Sequence, residues 1–310
     1  MSTIQRFRLL PLLLAAAAAA CAQQPTPAPA PTPAQPPQAP AQPPQAQAQP
    51  PQAQPQGDAA AQGRATAAAM LAQFAEQKVE VDLKAGTVTI PAVVNAPPDP
   101  IEYLLIHRTG KRHEAMFWTR SKPSVLNAAL LLLGLVPGHN ATCKEKDPAP
   151  TLEEIEKGAD PLIVTPPAGQ ELWMTVSWKD EAGKVQEHCI EDFLVDLTAQ
   201  APVRDASWIY IGGRMASLYK GEPEEFVADF EGNLVSVCYL TPDNHLATMK
   251  HERARDDQNW WITDLLPPPG TEVRFVFHKE KSELHKAREK RLAEEDAQAK
   301  KDEAGKKDGK

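Results

Sequence analysis

From residue 79 onward, apolar and polar positions alternate in short runs broken by turn residues, the period-two pattern of β-strands. Val79-Glu-Val-Asp-Leu83 alternates, Lys84-Ala-Gly86 turns, and Thr87 to Val94 returns. Ile101 to His107 and Arg112 to Thr119 flank Arg108-Thr-Gly-Lys111, a hairpin signal. With Gly110-Lys111 as its loop, His107 faces Glu114 and Leu105 faces Met116; with Thr109-Gly110 the register slips. Glu171–Lys179 and Lys184–Ile190 form a second hairpin around Asp180-Glu-Ala-Gly183. Glu225–Phe230 and Leu234–Leu240 read as strands joined by Glu231-Gly-Asn233, and Trp208–Ile211, Trp260–Thr263 and Thr271–His278 as further strands.

Two stretches carry helical spacing instead. Thr66–Gln77 places Ala, Met, Leu and Phe on one face. Ser121-Lys-Pro-Ser124 opens a second helix, with Ser121 as expected N-cap and Pro123 in the first turn. Val125 to Leu135 is apolar nearly all round, so burial is expected there, and Pro137-Gly138 stops it. Residues 139–168 form a loop-rich insertion with a short helix near Thr151–Glu156, and a sub-boundary could fall there. These patterns predict an α+β domain: mostly antiparallel β-hairpins packed on one buried helix, with a disordered Pro/Ala/Gln-rich N-terminal linker and a charged C-terminal tail.

The ends change the picture. Arg6 and Arg8 precede the apolar run Leu9–Leu14, and an alanine block leads to Ala20-Cys21, the layout of an export signal. Ala18-Ala-Ala20 before Cys21 resembles a lipobox, with Ala18 where Leu is usual. Ala20-Cys21-Ala22 also fits an ordinary A-x-A cut, and an uncleaved span would need about 20 apolar residues. Lipidation at Cys21 is the favoured expectation. It implies an exported protein of the periplasm or cell envelope, anchored to the membrane by lipid.

Residues 22–63 are almost wholly Pro, Ala and Gln, and cannot bury enough apolar surface to offset their ordering entropy. As a semi-rigid polyproline II spacer they would reach roughly 100 Å. The expected organisation is a signal at 1–21, a tether at 22–63, a short helix at 64–78, a globular domain at 79–278 and a charged tail at 279–310. Within that tail, residues 281–297 form a solvated helix and the rest is disordered.

Composition narrows the function classes. Hydrophobic residues make up 42% of the 310, enough for a core, and the net charge of −8 disfavours nucleic acid. Beyond Cys21 stand Cys143, Cys189 and Cys238. No Cys-x-x-Cys pairs them, so neither a zinc ribbon nor a thioredoxin-like site is supported, and which of them pair is left open. His113-Glu114 begins like a zinc-protease motif, but Phe117 occupies the second histidine position. A different metal site would need His107, His113 or Glu114 to converge with His188 from the other hairpin. His188-Cys189 would point apart on a strand, which spoils a nucleophile pair. The adjacent Trp260-Trp261 should place one ring inside and one at the surface, where it could stack on a glycan.

Gly110-Lys-Arg-His-Glu114, Thr119-x-x-Lys-Pro-Ser124 and Asn127-Ala-Ala-Leu-Leu-Leu-Leu-Gly-Leu-x-Pro-Gly138 together resemble the YdjY-type domain of exported bacterial proteins. So do Trp208-Ile-Tyr-Ile-Gly-Gly213, Val227-Ala-Asp-Phe-Glu-Gly-Asn-Leu-Val235 and Pro269-Gly-Thr-Glu-Val-x-Phe-Val-Phe277. The resemblance spans roughly 79–277 and implies domain limits and export, with no catalytic residue. Iron–sulfur binding, attached to some relatives, would need clustered cysteines that this chain lacks. The expectation is a tethered, non-catalytic envelope protein without cofactor, presenting a binding domain to a protein or cell-wall glycan partner. The alternative is an envelope enzyme or metal-binding domain built on the histidines.

Overall fold

The computed structural model describes residues 56–98 and 100–308. The expected signal, Cys21 and most of the tether lie outside the described residues. Helix α1 (Gln56–Glu76) starts inside the stretch assigned to the tether. It is followed by α2 (Pro123–Leu132), α3 (Leu152–Glu156), α4 (Val227–Glu231) and α5 (Glu283–Asp308).

The expected α+β layout, hairpins packed on one helix, is overturned: the protein is mostly β, and eight strands close into a barrel. They are β1 (Thr87–Val94), β2 (Tyr103–His107), β3 (Ala115–Thr119), β4 (Glu171–Lys179), β5 (Ser207–Tyr210), β6 (Asn233–Ser236), β7 (Ala247–Lys250) and β8 (Glu272–His278). Around the ring the order is β1-β8-β4-β5-β7-β6-β2-β3, and β3 returns to β1 through Ala92↔Thr119 and Val94↔Phe117. All contacts are antiparallel except β6–β7 and β2–β3. Further strands extend it: Glu80–Asp82 lies on the first half of β1, and Val185–Cys189 lies on the outer half of β4.

Closure explains why the helix does not carry the core. A curled sheet buries its inner side chains against one another. Phe117 meets Phe275 edge-on at 5.8 Å and Phe193 at 6.3 Å, and Trp208, Tyr210 and Ile90 are buried with them. Helix α2 therefore needs only one buried stripe, Val125, Leu126, Ala129 and Leu130. Contrary to the expected all-round burial, Leu131 is 46% and Leu132 42% exposed.

The hairpin expected at 101–119 is also corrected. β2 and β3 run parallel, so His107 faces Thr119, Leu105 faces Phe117 and Tyr103 faces Ala115. The seven residues between them double back along β2 instead of turning tightly. That path is pinned at Gly110, where a Cβ would sit 2.6 Å from the Gly232 carbonyl oxygen. Gly232 itself adopts φ +76° as the left-handed cap of α4. Residues 227–231 are thus helical rather than a strand, and β6 pairs with β2 and β7.

The segments that carried the resemblance meet in space. Ser124 donates through its backbone N–H to Asp229 Oδ1 at 2.7 Å and through its hydroxyl to Oδ2. Asp229 thereby caps α2, a role expected of Ser121, whose hydroxyl instead donates to the Gln77 carbonyl. Tyr210 donates to Asn127 at 2.5 Å, and Asn233 to the Tyr103 hydroxyl at 3.1 Å. Helix α1 docks on α2 through buried Phe74, and Gln77 Oε1 accepts from the Lys122 N–H.

Candidate functional site

The three histidines singled out in the sequence occupy separate places. His107 ends β2, with Nδ1 2.7 Å from Thr109 Oγ1. Burial, with Arg108 beside it, holds its pKa below the usual imidazole value. His113 projects into solvent from the 3-10 turn Arg112–Glu114. His188 lies flat on Trp178, ring centroids 5.4 Å apart and 19° from parallel, and Phe193 packs against both rings. Among the described residues, no convergent metal-ligand group includes any of them. The neighbouring Lys111 and Glu114 serve an ion cluster, the ammonium 3.1 Å from Glu114 and 3.9 Å from Glu102.

The tryptophan pair divides as strand alternation requires. Trp260 is buried, with the His251 ring edge-on at 5.1 Å, and Trp261 is 38% exposed. Their strand, Trp260–Ile262, pairs with Leu194–Asp196, which pairs with Ala201–Pro202. Trp261 stands opposite Val195 and Val195 opposite Pro202, so the three form one row across the sheet. Residues 194, 196 and 260 face inward, leaving this row on the outer face. Leu197, 41% exposed, follows two residues after Val195.

His251 belongs to an open cleft of about 460 Å³ that also has Asp205, Tyr239 and Lys250 in its walls. Its Nε2 donates to Asp205 at 3.0 Å and its Nδ1 accepts from the Arg253 N–H at 3.1 Å. Both ring nitrogens are thereby engaged in holding the cleft together.

The most concentrated chemistry is one that sequence reasoning missed. Cys189 ends the strand on the outer half of β4, Glu191 follows in the 3-10 turn Ile190–Phe193, and His285 lies in the first turns of α5. One ligand atom from each lies within 4.8 Å of the others, and all three residues are buried. Trp208 Nε1 donates to Glu191 Oε1 at 2.7 Å, while Oε2 has no hydrogen-bond partner. His285 Nδ1 lies 2.8 Å from Ser282 Oγ, and its Nε2 likewise has no partner.

Electrostatics here are dominated by desolvation. Burial, reinforced by Glu191 and Asp192, pushes the Cys189 thiol up to about 12. Burial also raises the Glu191 carboxyl, against its own backbone N–H, Arg288 and Trp208. Burial, the neighbouring His278 ring and Arg288 hold His285 down to about 4, with the Met174 carbonyl pulling the other way.

Helix α5 is fastened over this cluster. Arg288 donates from Nε to Asp192 at 2.7 Å and from Nη2 to the Val203 carbonyl at 2.6 Å. Arg204 reaches Glu295 at 3.0 Å and Asp296 at 2.7 Å. The tail read as a solvated helix with a disordered end is helical to Asp308, and its first turns are docked.

The chain is thus a closed β-barrel of mixed strand direction, with its C-terminal helix docked over a buried polar cluster. The model of the YdjY domain family matches residues 79–278, and the chain belongs to that family. No curated protein and no solved structure matches it. Among the described residues, no helix is long and apolar enough to cross a membrane.

Proposed function

We propose that this chain is a stand-off binding protein of the cell envelope: exported, lipidated at Cys21, spaced from the membrane by its Pro/Ala/Gln segment, and non-catalytic. The observation that carries the binding role is the outer row Trp261–Val195–Pro202 with Leu197 beside it. An indole set flat among small apolar groups suits the faces of sugar rings, and an exposed aromatic on a sheet otherwise costs solvation. The partner is cell-wall glycan, stacked on Trp261. The closed barrel behind the row supplies a rigid support, so little ordering cost is incurred on binding.

Co-sedimentation of the chain with purified peptidoglycan tests this reading. The unaltered chain should pellet with the glycan, and Trp261→Ala should lower affinity about tenfold, the scale of one stacked aromatic. Equal pelleting of both, or of neither, would remove the glycan reading. The anchor is tested separately: Cys21→Ala should move the protein from the membrane to the soluble fraction, and incorporation of labelled palmitate should vanish with it.

A further inference from the structure

We infer that Cys189, Glu191 and His285 bind one divalent cation of the zinc class, and that the ion fastens α5 to the barrel. The first ground is convergence. Donors from two segments nearly a hundred residues apart in sequence come within 4.8 Å of one another in a buried place. A tetrahedral ion with bonds of about 2.0–2.3 Å holds its ligands about 3.5 Å apart. Small rotations about the side-chain bonds close that difference.

The second ground is the pair of buried atoms left without partners. Glu191 Oε2 and His285 Nε2 make no hydrogen bond, although their residues are at least nine-tenths buried. An unsatisfied buried polar atom is costly, so two in one buried cluster call for a shared occupant. The supporting groups are already set for a metal. Nδ1 lies 2.8 Å from Ser282 Oγ, and the tautomer that donates there leaves Nε2 its lone pair for coordination. Trp208 Nε1 fixes the Glu191 carboxylate through its other oxygen. Such outer contacts orient ligands in metal sites.

The third ground is charge. A thiolate and a carboxylate with a neutral imidazole carry two negative charges, and a divalent cation brings the buried cluster to zero. Arg288 adds positive charge nearby, but its guanidinium is committed to Asp192 and the Val203 carbonyl. The donor set selects the metal: one sulfur, one nitrogen and one carboxylate oxygen suit zinc, whereas calcium and magnesium prefer oxygen alone. Three protein donors leave a fourth position for water. Binding displaces the thiol proton to solvent, so the step is proton release with no change of oxidation state.

The test is elemental analysis of the full chain, purified without chelator and then dialysed against zinc. About one equivalent per chain is expected. Cys189→Ser and His285→Gln should each lose it, while His107→Ala and His113→Ala keep it. The cobalt-loaded chain should show a thiolate charge-transfer band that Cys189→Ser abolishes. Circular dichroism establishes that each variant is folded, and Glu191→Gln stands in for any that is not. A chain that retains no ion, or one whose ion survives both Cys189→Ser and His285→Gln, overturns the site. Hydrogen exchange tests the fastening: zinc should slow the α5 amides about tenfold or more. Unchanged exchange in a zinc-loaded chain overturns that part.

Discussion

The barrel interior and the α5 seam are both buried, but different forces hold them. Inside the barrel the contacts are aromatic and aliphatic: Phe117 lies between Phe193 and Phe275, and strands on every side close over them. At the seam the contacts are Arg288 on Asp192, Arg204 on Glu295 and Asp296, and a histidine sealed over a cysteine and a glutamate. The first depends on area removed from water and is nearly indifferent to pH and salt. The second depends on charge and protonation, so solution conditions reach it. One chain therefore has a permanent body and a conditional attachment.

Phe117→Ala should cost about 4 kcal/mol of global stability in urea unfolding, because it empties a site enclosed by rings. A cost below about 1 kcal/mol would mean that the barrel interior is not the main source of stability. Asp192→Ala should cost about 2 kcal/mol, since it strands a guanidinium that is only 10% exposed. Its signature is local: hydrogen exchange should quicken in α5 and stay unchanged in β1 and β8.

Acid should act on the same seam. His285 is held down to about 4 in the fold and ordinarily titrates near 6.5. Between those values the unfolded chain takes up a proton that the folded one refuses. Stability is then complete above about pH 6.5 and falls as pH drops toward 4, by up to about 1.4 kcal/mol per pH unit for this proton. His245 and His278, also lowered by burial, add to the same trend. In the metal-free chain, His285→Gln should flatten the profile by about one proton, and an unchanged profile would show that His285 does not set it. The smallest effect is salt. Arg204 with Glu295 and Asp296 is well exposed, so raising ionic strength should weaken α5 docking by less than about 1 kcal/mol while leaving barrel exchange unaltered.

What the sequence disclosed was local. The hairpin around Asp180–Gly183 pairs as its alternation predicts, Val176 with His188 and Ser177 with Glu187. The short helix near Thr151 forms with a complete capping box. What it concealed was which strand meets which. The run from Ile101 to Thr119 has the turn residues of a hairpin, yet Gly110 is there because Gly232 presses against it. Spacing cannot report a neighbour more than a hundred residues away. The Cys189, Glu191 and His285 cluster was hidden for the same reason, since His285 sits more than ninety residues from the other two, among charged residues typical of solvated chain. One weak sign was present: Leu284, Arg288 and Leu292 recur four apart, and the two leucines are the only large apolar residues of the tail.

Strand β8 lies between β1 and β4 in the ring, although it is the last of the eight in chain order. A chain that ends before Glu272 would present two open backbone edges, each able to pair with another molecule. A copy with β8 in place shows no such ladder there, while one cut short of it exposes the extended backbone that proteases and chaperones grip.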